Sequence, residues 1–486
     1  MKILRIETGI SGLDEILAGG LPVNHTYLLM GGPGTGKTTL GMQFLLEGVR
    51  RGERVLYITL LQTELGIREM AGVHGWDLDG IEIKVLMSEA DKEAEFVEQT
   101  LLPSSEIQLD DVMNAIERTV EEYKPVRLVF DSIEQVRLLA GDPVIYRQKV
   151  LATQRLLANH NVTTIFVESS EQAPEFKTLA HGVILLDTVI PPFGEMHRRI
   201  LVEKMRGVAF SGGYHSFRIK TGGVEVYPRL PATNAESSPA WKEVKSGIES
   251  LDRMLGGGLT GGTSCLLAGE SGTGKSSLAN AYVHAAARRG EKAAVFLFDE
   301  RKETYLLRAK SLGMDLTPFL GEGAVTVDQV KIGDISAGEL AHTLRLMVEK
   351  QGVGMVVIDS MTGFLLAMPE EPQLMTQLHE ILDYLGGQGV LTLLLVTEHG
   401  MFGQTRGVVD VSFLADSVIL IRRFEAMGLM RLAAAAVKKR HGDHDKFIRE
   451  LKITGEGVQI GEPLREFRGV LTGSPIFIGD PEKLME

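Results

Sequence analysis

Two stretches of this chain have residue types and spacing that could do chemistry. Gly31, Gly32, Pro33, Gly34, Thr35, Gly36, Lys37 and Thr38 form one; Gly269, Glu270, Ser271, Gly272, Thr273, Gly274, Lys275 and Ser276 form the other. Both fit G-x-x-x-x-G-K-[ST], a loop that cradles the phosphates of a nucleotide. Its glycines let the backbone curl until several N–H groups face one anion, and the following helix presents its positive end to the same charge. Lys37 and Lys275 are expected to reach the β- and γ-phosphates, and the hydroxyls of Thr38 and Ser276 to face Mg²⁺. Thr39 and Ser277 extend the nucleotide-binding positions into the helix.

Carboxylates follow at matching places. Val126–Ser132 and Gly354–Ser360 are apolar runs ending in Asp131 and Asp359, the expected partners of Mg²⁺ directly or through water. Hydrolysis also needs a group that orients or deprotonates the attacking water. The second half offers Asp299 and Glu300 after the run Val295–Phe298; the first half has Leu61 and Gln62 at the same offset. Three outcomes are open for the first site: activity is lost, Gln62 orients water, or Glu64 substitutes. Loss of a positioned base typically costs about 10²–10⁴ in rate. The expectation is a first site that binds nucleotide and turns it over slowly.

These residues need strands and helices to hold them. Each loop follows a short apolar run (Tyr27–Met30, Cys265–Ala268) and precedes a helical stretch, the strand–loop–helix context that the motif requires. Further pairs recur at an offset of 238: Gly9–Asp14 with Gly247–Asp252, Arg51–Glu53 with Arg289–Glu291, and Gly75–Leu78 with Gly313–Leu316. This is a duplicated domain, with a period too long for a solenoid. Residues 231–240, rich in Pro, Ala and Ser, read as a linker between domains 1–230 and 241–486. In the first copy the pattern predicts strands at 27–31, 54–60, 126–130, 162–168 and 182–188, with helices at 38–51, 64–74, 109–123 and 146–159. The strands are nearly all apolar, as when helices cover both faces of a sheet. The fold class is therefore α/β, two largely parallel doubly wound sheets, with ligands at the carboxyl ends of the strands.

Composition narrows the partners. A net charge of −13 over 486 residues argues against a nucleic-acid surface. Cys265 is the only cysteine, so no intramolecular disulfide forms, which suits a reducing cytoplasm. No secretory leader and no membrane-length apolar run are read in the sequence.

The duplicated loops, the Gly9–Asp14 entry, Gly75–Leu78, and the late segments Val202–Gly207 and Lys438–Glu450 together resemble the KaiC family of RecA-like ATPases, over nearly the whole chain. The resemblance implies tandem RecA-like domains, a double-ring homohexamer, and ATP with Mg²⁺ held between neighbouring subunits. It further implies that Lys204/Arg206 and Lys438/Arg440 complete a neighbour's site. Cations brought to a γ-phosphate stabilise charge spread over its oxygens; the bland alternative is a solvated basic strand end. His441, Asp443 and His444 match no standard zinc spacing and read as a polar hairpin. The family also includes autokinases that phosphorylate an adjacent Ser-Thr pair; here the matching residues are Ser412 and Phe413, which leaves Ser412 as a single acceptor, with Glu300 as its base, or as an ordinary strand serine. Only eleven residues follow Pro475, so activation by a KaiA-type partner, which engages a longer tail, is not expected; a KaiB-like partner fits the first ring. Two other functions stay open: a nucleic-acid motor, opposed by the acidity, and a nucleotide-gated scaffold with little turnover.

Overall fold

The computed structural model describes residues 3–60, 62–86, 105–169, 174–190, 195–230, 241–331, 333, 335–368, 374–397, 412–426, 428–472 and 475–479. The chain forms two compact units, Met1–Arg229 and Leu230–Glu486. The expected linker and Leu61 lie outside the described residues.

In the first unit the sheet strands are β1 (Thr26–Gly31), β2 (Val55–Thr59), β3 (Ile81–Val85), β4 (Arg127–Asp131), β5 (Thr163–Glu168), β6 (Gly182–Val189), β7 (His197–Met205), β8 (Tyr214–Lys220) and β9 (Gly223–Tyr227). Their spatial order is β3-β2-β4-β5-β1-β6-β7-β8-β9. The second unit repeats it with β10 (Ser264–Gly269), β11 (Lys292–Leu297), β12 (Val325–Gln329), β13 (Val353–Asp359), β14 (Leu391–Thr397), β15 (Ser417–Ala426), β16 (Leu429–Lys439), β17 (Arg449–Thr454) and β18 (Gly457–Pro463), in the order β12-β11-β13-β14-β10-β15-β16-β17-β18. From β3 to β6 and from β12 to β15 in spatial order neighbouring strands pair in parallel, and the last three strands of each sheet are antiparallel.

The apolar runs become central strands because both of their faces are covered. Successive side chains of a strand point to opposite faces. Tyr27 and Leu29 accordingly join one core and Leu28 and Met30 the other; Cys265 and Leu267 part from Leu266 and Ala268 in the same way. Each fully buried large aliphatic or aromatic side chain contributes roughly 1.5–3 kcal/mol, so the sheet centre is the firmest platform available for a loop. Burial pushes the Cys265 thiol up to about 12, which leaves it inert as a nucleophile.

The strands expected at 27–31, 54–60, 126–130, 162–168 and 182–188 are present to within a residue or two. The four expected helices are present as Lys37–Arg50, Glu64–Val73, Ser105–Tyr123 and Pro143–Asn159, the last two starting four and three residues earlier than expected. The antiparallel strands β7 to β9 and the helix Ile133–Ala140 were not read from the sequence. Ser412 is not a strand residue: it opens the short 3-10 turn Ser412–Leu414 just before β15. The polar stretch 440–448 connects two antiparallel strands, as a polar hairpin does.

Candidate functional site

Each phosphate loop leaves the carboxyl end of the central strand and enters a helix, Lys37–Arg50 or Lys275–Arg288. Gly34 and Gly36 have φ of 73° and 100°; Gly272 and Gly274 have 75° and 91°. An L side chain rarely adopts such a backbone. A Cβ on Gly36 would also come within 2.7 Å of Ile219 Cδ1, and one on Gly274 within 2.0 Å of Ile453 Cδ1. Both glycines are thus favoured by their backbone conformation, and a side chain at either would also push an isoleucine tip aside.

Inside each loop lies its lysine. Lys37 Nζ donates to the Gly31 and Gly32 carbonyls at 2.7 and 2.8 Å; Lys275 Nζ donates to those of Gly269 and Glu270 at 2.9 and 2.7 Å. Thr35 and Thr273 brace the loops through their own hydroxyls. Thr39 and Ser277 are buried on the first helical turn. Burial lowers the Lys37 ammonium below an ordinary lysine, while the charges of Asp131, Glu134 and Glu168 act to raise it.

The metal positions meet as expected. Thr38 Oγ1 donates to Asp131 Oδ2 at 2.7 Å, and Tyr57 on β2 donates to the same oxygen at 2.9 Å. In the second unit the Ser276 hydroxyl hydrogen-bonds Asp359; burial raises the Asp359 carboxyl above its ordinary range, and that hydrogen bond offsets the rise only in part. A carboxylate beside a hydroxyl at the mouth of a phosphate loop suits Mg²⁺, which takes oxygen ligands and keeps waters and substrate phosphates for the rest of its shell. Among the described residues no group of three or more His, Cys, Asp or Glu forms a protein-only metal cage.

Asp299 and Glu300 follow β11, the strand beside the Asp359 strand. Ser360 Oγ donates to Asp299 Oδ2, and Arg308 Nη1 donates to Glu300 Oε1 at 2.7 Å. Arg308, from the helix Lys302–Ser311, was not picked out from the sequence. Comparing the repeats could have found it, because its counterpart at the 238 offset is Met70: the first unit lacks both the glutamate and the arginine that holds it. Glu64 is the other acidic residue near this strand end. It lies in the first turn of Glu64–Val73, exposed and paired with Arg68 at 2.8 Å. Gln62 stands at the end of β2, its N–H on Thr59 Oγ1.

The cation pairs lie far from their own loops. Lys204 is opposite Val183 at the start of β6, whereas Gly31 is opposite Leu186; three residues of strand span about 10 Å. Lys204 Nζ donates to the Lys177, Thr178 and Ala180 carbonyls, and Arg206 to that of Thr178. Lys438 likewise donates to the Ala415 carbonyl, and Arg440 to Asp416 and to the Phe413 carbonyl. Within one unit, then, neither pair is brought to the phosphate loop.

Twin loops, twin Thr/Ser–Asp pairs and one strand order in both units describe a duplicated nucleotide-binding ATPase domain. The family model described as "ATPase: KaiC" matches residues 6–231 and again 244–465. The chain belongs to the KaiC family of ATPases. It is 28% identical to the circadian clock oscillator protein KaiC of Parathermosynechococcus lividus, over 98% of this chain and 89% of that protein. It is 27% identical to the circadian clock protein KaiC3 of Synechocystis sp., over 99% of this chain and 96% of that one. KaiC 1 of the same organism is 26% identical, over 99% and 93%. Membership of the KaiC family implies ATP binding, and the duplicated P-loop sheets are its tandem RecA-like domains. No helix among the described residues is long and apolar enough to cross a membrane.

Proposed function

We propose that this KaiC-family chain is an ATP-driven, self-assembling regulatory protein of the cytoplasm whose second unit hydrolyses ATP and whose first unit mainly binds it. The observation that carries this reading is the contrast at one strand end: Asp299 and Glu300, held by Ser360 and Arg308, against Gln62, with Met70 at the sequence position that corresponds to Arg308. Lys275 and the loop N–H groups hold the phosphates. Glu300, released from Arg308, takes the proton of the attacking water, and Asp299 keeps the strand end in place through Ser360. Ser276 and Asp359 here, and Thr38 and Asp131 in the first unit, would hold Mg²⁺, which would supply charge neutralisation on the phosphates.

The cation pairs Lys204/Arg206 and Lys438/Arg440, which are not brought to their own loops, serve a neighbouring copy, as in a hexameric ring. Signalling output through a KaiB-like protein partner fits this assembly; nucleic acid does not fit the net charge of −13. The test is the nucleotide retained by each site. After mixing with ATP, a Lys37→Ala variant should carry ADP at its one remaining site and a Lys275→Ala variant mostly unconverted ATP. ADP at equal levels in both would contradict the division.

A second activity is supported by the turn that carries Ser412. Arg440 donates to the Phe413 carbonyl at 3.3 Å, which ties that turn to the cation pair, and the Phe413 side chain is 60% exposed. Serine autophosphorylation at Ser412, with Glu300 of a neighbouring copy as base, follows from that placement. Incubation with ATP and phosphopeptide mapping should find phosphate on Ser412; none under any nucleotide or metal condition would remove the kinase reading.

A further inference from the structure

The second phosphate loop has an arginine beside it that the first lacks. Strand β15 pairs with the phosphate-loop strand β10, and Ile421 is level with Gly269, the first residue of the loop. Arg422 and Arg423 follow. Ile419 and Ile421 join the core that contains Leu278, Ala279 and Tyr282 of the loop helix, whereas Leu420 packs against the opposite core. By alternation along the strand, Arg423 is on the face of the loop helix and Arg422 on the other. The contacts agree. Arg423 Nη2 donates to the Ser271 carbonyl at 3.1 Å, and a Cβ on Gly272 would be 3.1 Å from the same nitrogen, so the guanidinium lies against the turn of the loop. Arg422 Nη1 instead approaches Glu270 Oε1 at 3.8 Å.

The charges do not balance. Glu270 answers Arg422, but among the described residues Arg423 has no carboxylate partner, only a neutral carbonyl. The duplication supplies an internal control. Leu186 is level with Gly31, so by register Asp187 and Thr188 hold the positions of Arg422 and Arg423, with Gly32 and Pro33 at those of Glu270 and Ser271. Asp187 pairs with Arg199. The strand beside the first loop thus contributes a matched ion pair and a threonine; the strand beside the second contributes two arginines against one carboxylate. A fold that builds the same loop with threonine at this position does not need the arginine to shape it.

We infer that Arg423 is a phosphate-binding residue of the second site, supplied by the same chain as the loop, and that it meets the α- and β-phosphates. Strand β13 with Asp359, and β11 with Glu300 after it, lie on one side of β10; β15 lies on the other. The γ-phosphate belongs on the side of the metal aspartate and the base, which leaves the α- and β-phosphates toward β15. A guanidinium forms charge-assisted hydrogen bonds to phosphate oxygens that are stronger than the carbonyl contact it gives up. Contact with the phosphates that ADP retains holds ATP and ADP alike, so it raises affinity and leaves the chemical step as it is. This rests on nucleotide binding at the second loop, and not on which loop hydrolyses.

The experiment uses the full-length chain carrying Lys37→Ala, in which only the second loop keeps its lysine. It measures binding of a fluorescent ATP analogue and a fluorescent ADP analogue over a series of salt concentrations. Arg423→Gln should weaken both by about tenfold or more. It should also flatten the fall of affinity with salt, because salt screens a contact between charges. Arg423→Lys should keep part of the affinity and of the salt dependence. In the nucleotide-free protein, Arg423→Gln and Arg423→Thr should melt where the parent does, since threonine occupies the matching position in the first unit. Unchanged affinities in Arg423→Gln would overturn the assignment. So would weakened binding that Arg423→Lys does not restore and that comes with a lowered melting temperature, the mark of a loop brace. Loss for the ATP analogue alone would put the arginine at the γ-phosphate and overturn its placement. A Lys37→Ala chain that binds neither analogue would remove the second loop as a nucleotide site and the inference with it, whereas equal binding with and without Arg423 would remove the arginine's role alone.

Discussion

Glu300 and Arg308 meet at 2.7 Å with both side chains partly open to solvent. Such a pair contributes about 0–1 kcal/mol to stability, so its consequence is positional: it fixes where the carboxylate stands before nucleotide arrives. A second residue-scale feature is pH-dependent. His25 and His181 stack at 3.7 Å with nearly parallel rings. Burial and the neighbouring His25 hold His181 down to about 4, and burial lowers His25 as well. An unfolded chain protonates its histidines near 6.5. Between about 6.5 and 4 the unfolded state therefore binds more protons, and stability falls as pH drops through that window. The unfolding midpoint of the first unit should fall between pH 7.5 and 5, and less steeply in His181→Gln. Equal slopes would assign the pH dependence to other groups. His181 was not legible in the sequence as a titrating group, because its shift comes from burial and then from a stacking partner 156 positions away that only the pairing of β1 with β6 brings near.

At the scale of elements, the two units differ in how the Asp strand is tied to the phosphate-loop helix. Arg127 on β4 is wholly buried. It pairs with Glu53, donates to the Glu7 and Phe44 carbonyls at 2.7 and 2.9 Å, and lies over the Phe44 ring at 4.7 Å. It fits because Gly48 has no side chain: a Cβ there would be 2.7 Å from Arg127 Cδ. The second unit has Met355 and Ala286 at these positions. One unit thus joins strand to helix by a charged strut, the other by apolar packing. Removing one partner of a buried pair typically costs about 3–5 kcal/mol. Arg127→Ala should lower stability by that order in urea unfolding, and Arg127→Met with Gly48→Ala should recover most of it. A double variant as unstable as the alanine would show that the two junctions are not interchangeable. The main strands were readable in the sequence because burial on both faces leaves them almost purely apolar. Strand β7 was not, since Arg198, Arg199, Glu203 and Lys204 interrupt its pattern. The loops and their aspartates were equally legible, being local motifs at strand ends. Arg308 was not, because what it does depends on which strand the topology sets beside its helix.

For the whole molecule, duplication makes each unit the control for the other. Fold, strand order, loop geometry and the Thr/Ser–Asp pair are shared; the carboxylate after the second strand and its arginine are not. The central claim is that this one difference assigns most of the hydrolysis to the second unit. Its most direct test is steady-state ATP turnover of full-length Glu300→Gln beside Lys37→Ala, with assembly state checked on the same samples. The account predicts that Glu300→Gln loses turnover by roughly 10²-fold or more, whereas Lys37→Ala, where it still assembles, keeps most of it. Unchanged turnover in Glu300→Gln together with its abolition in an assembled Lys37→Ala would contradict the account.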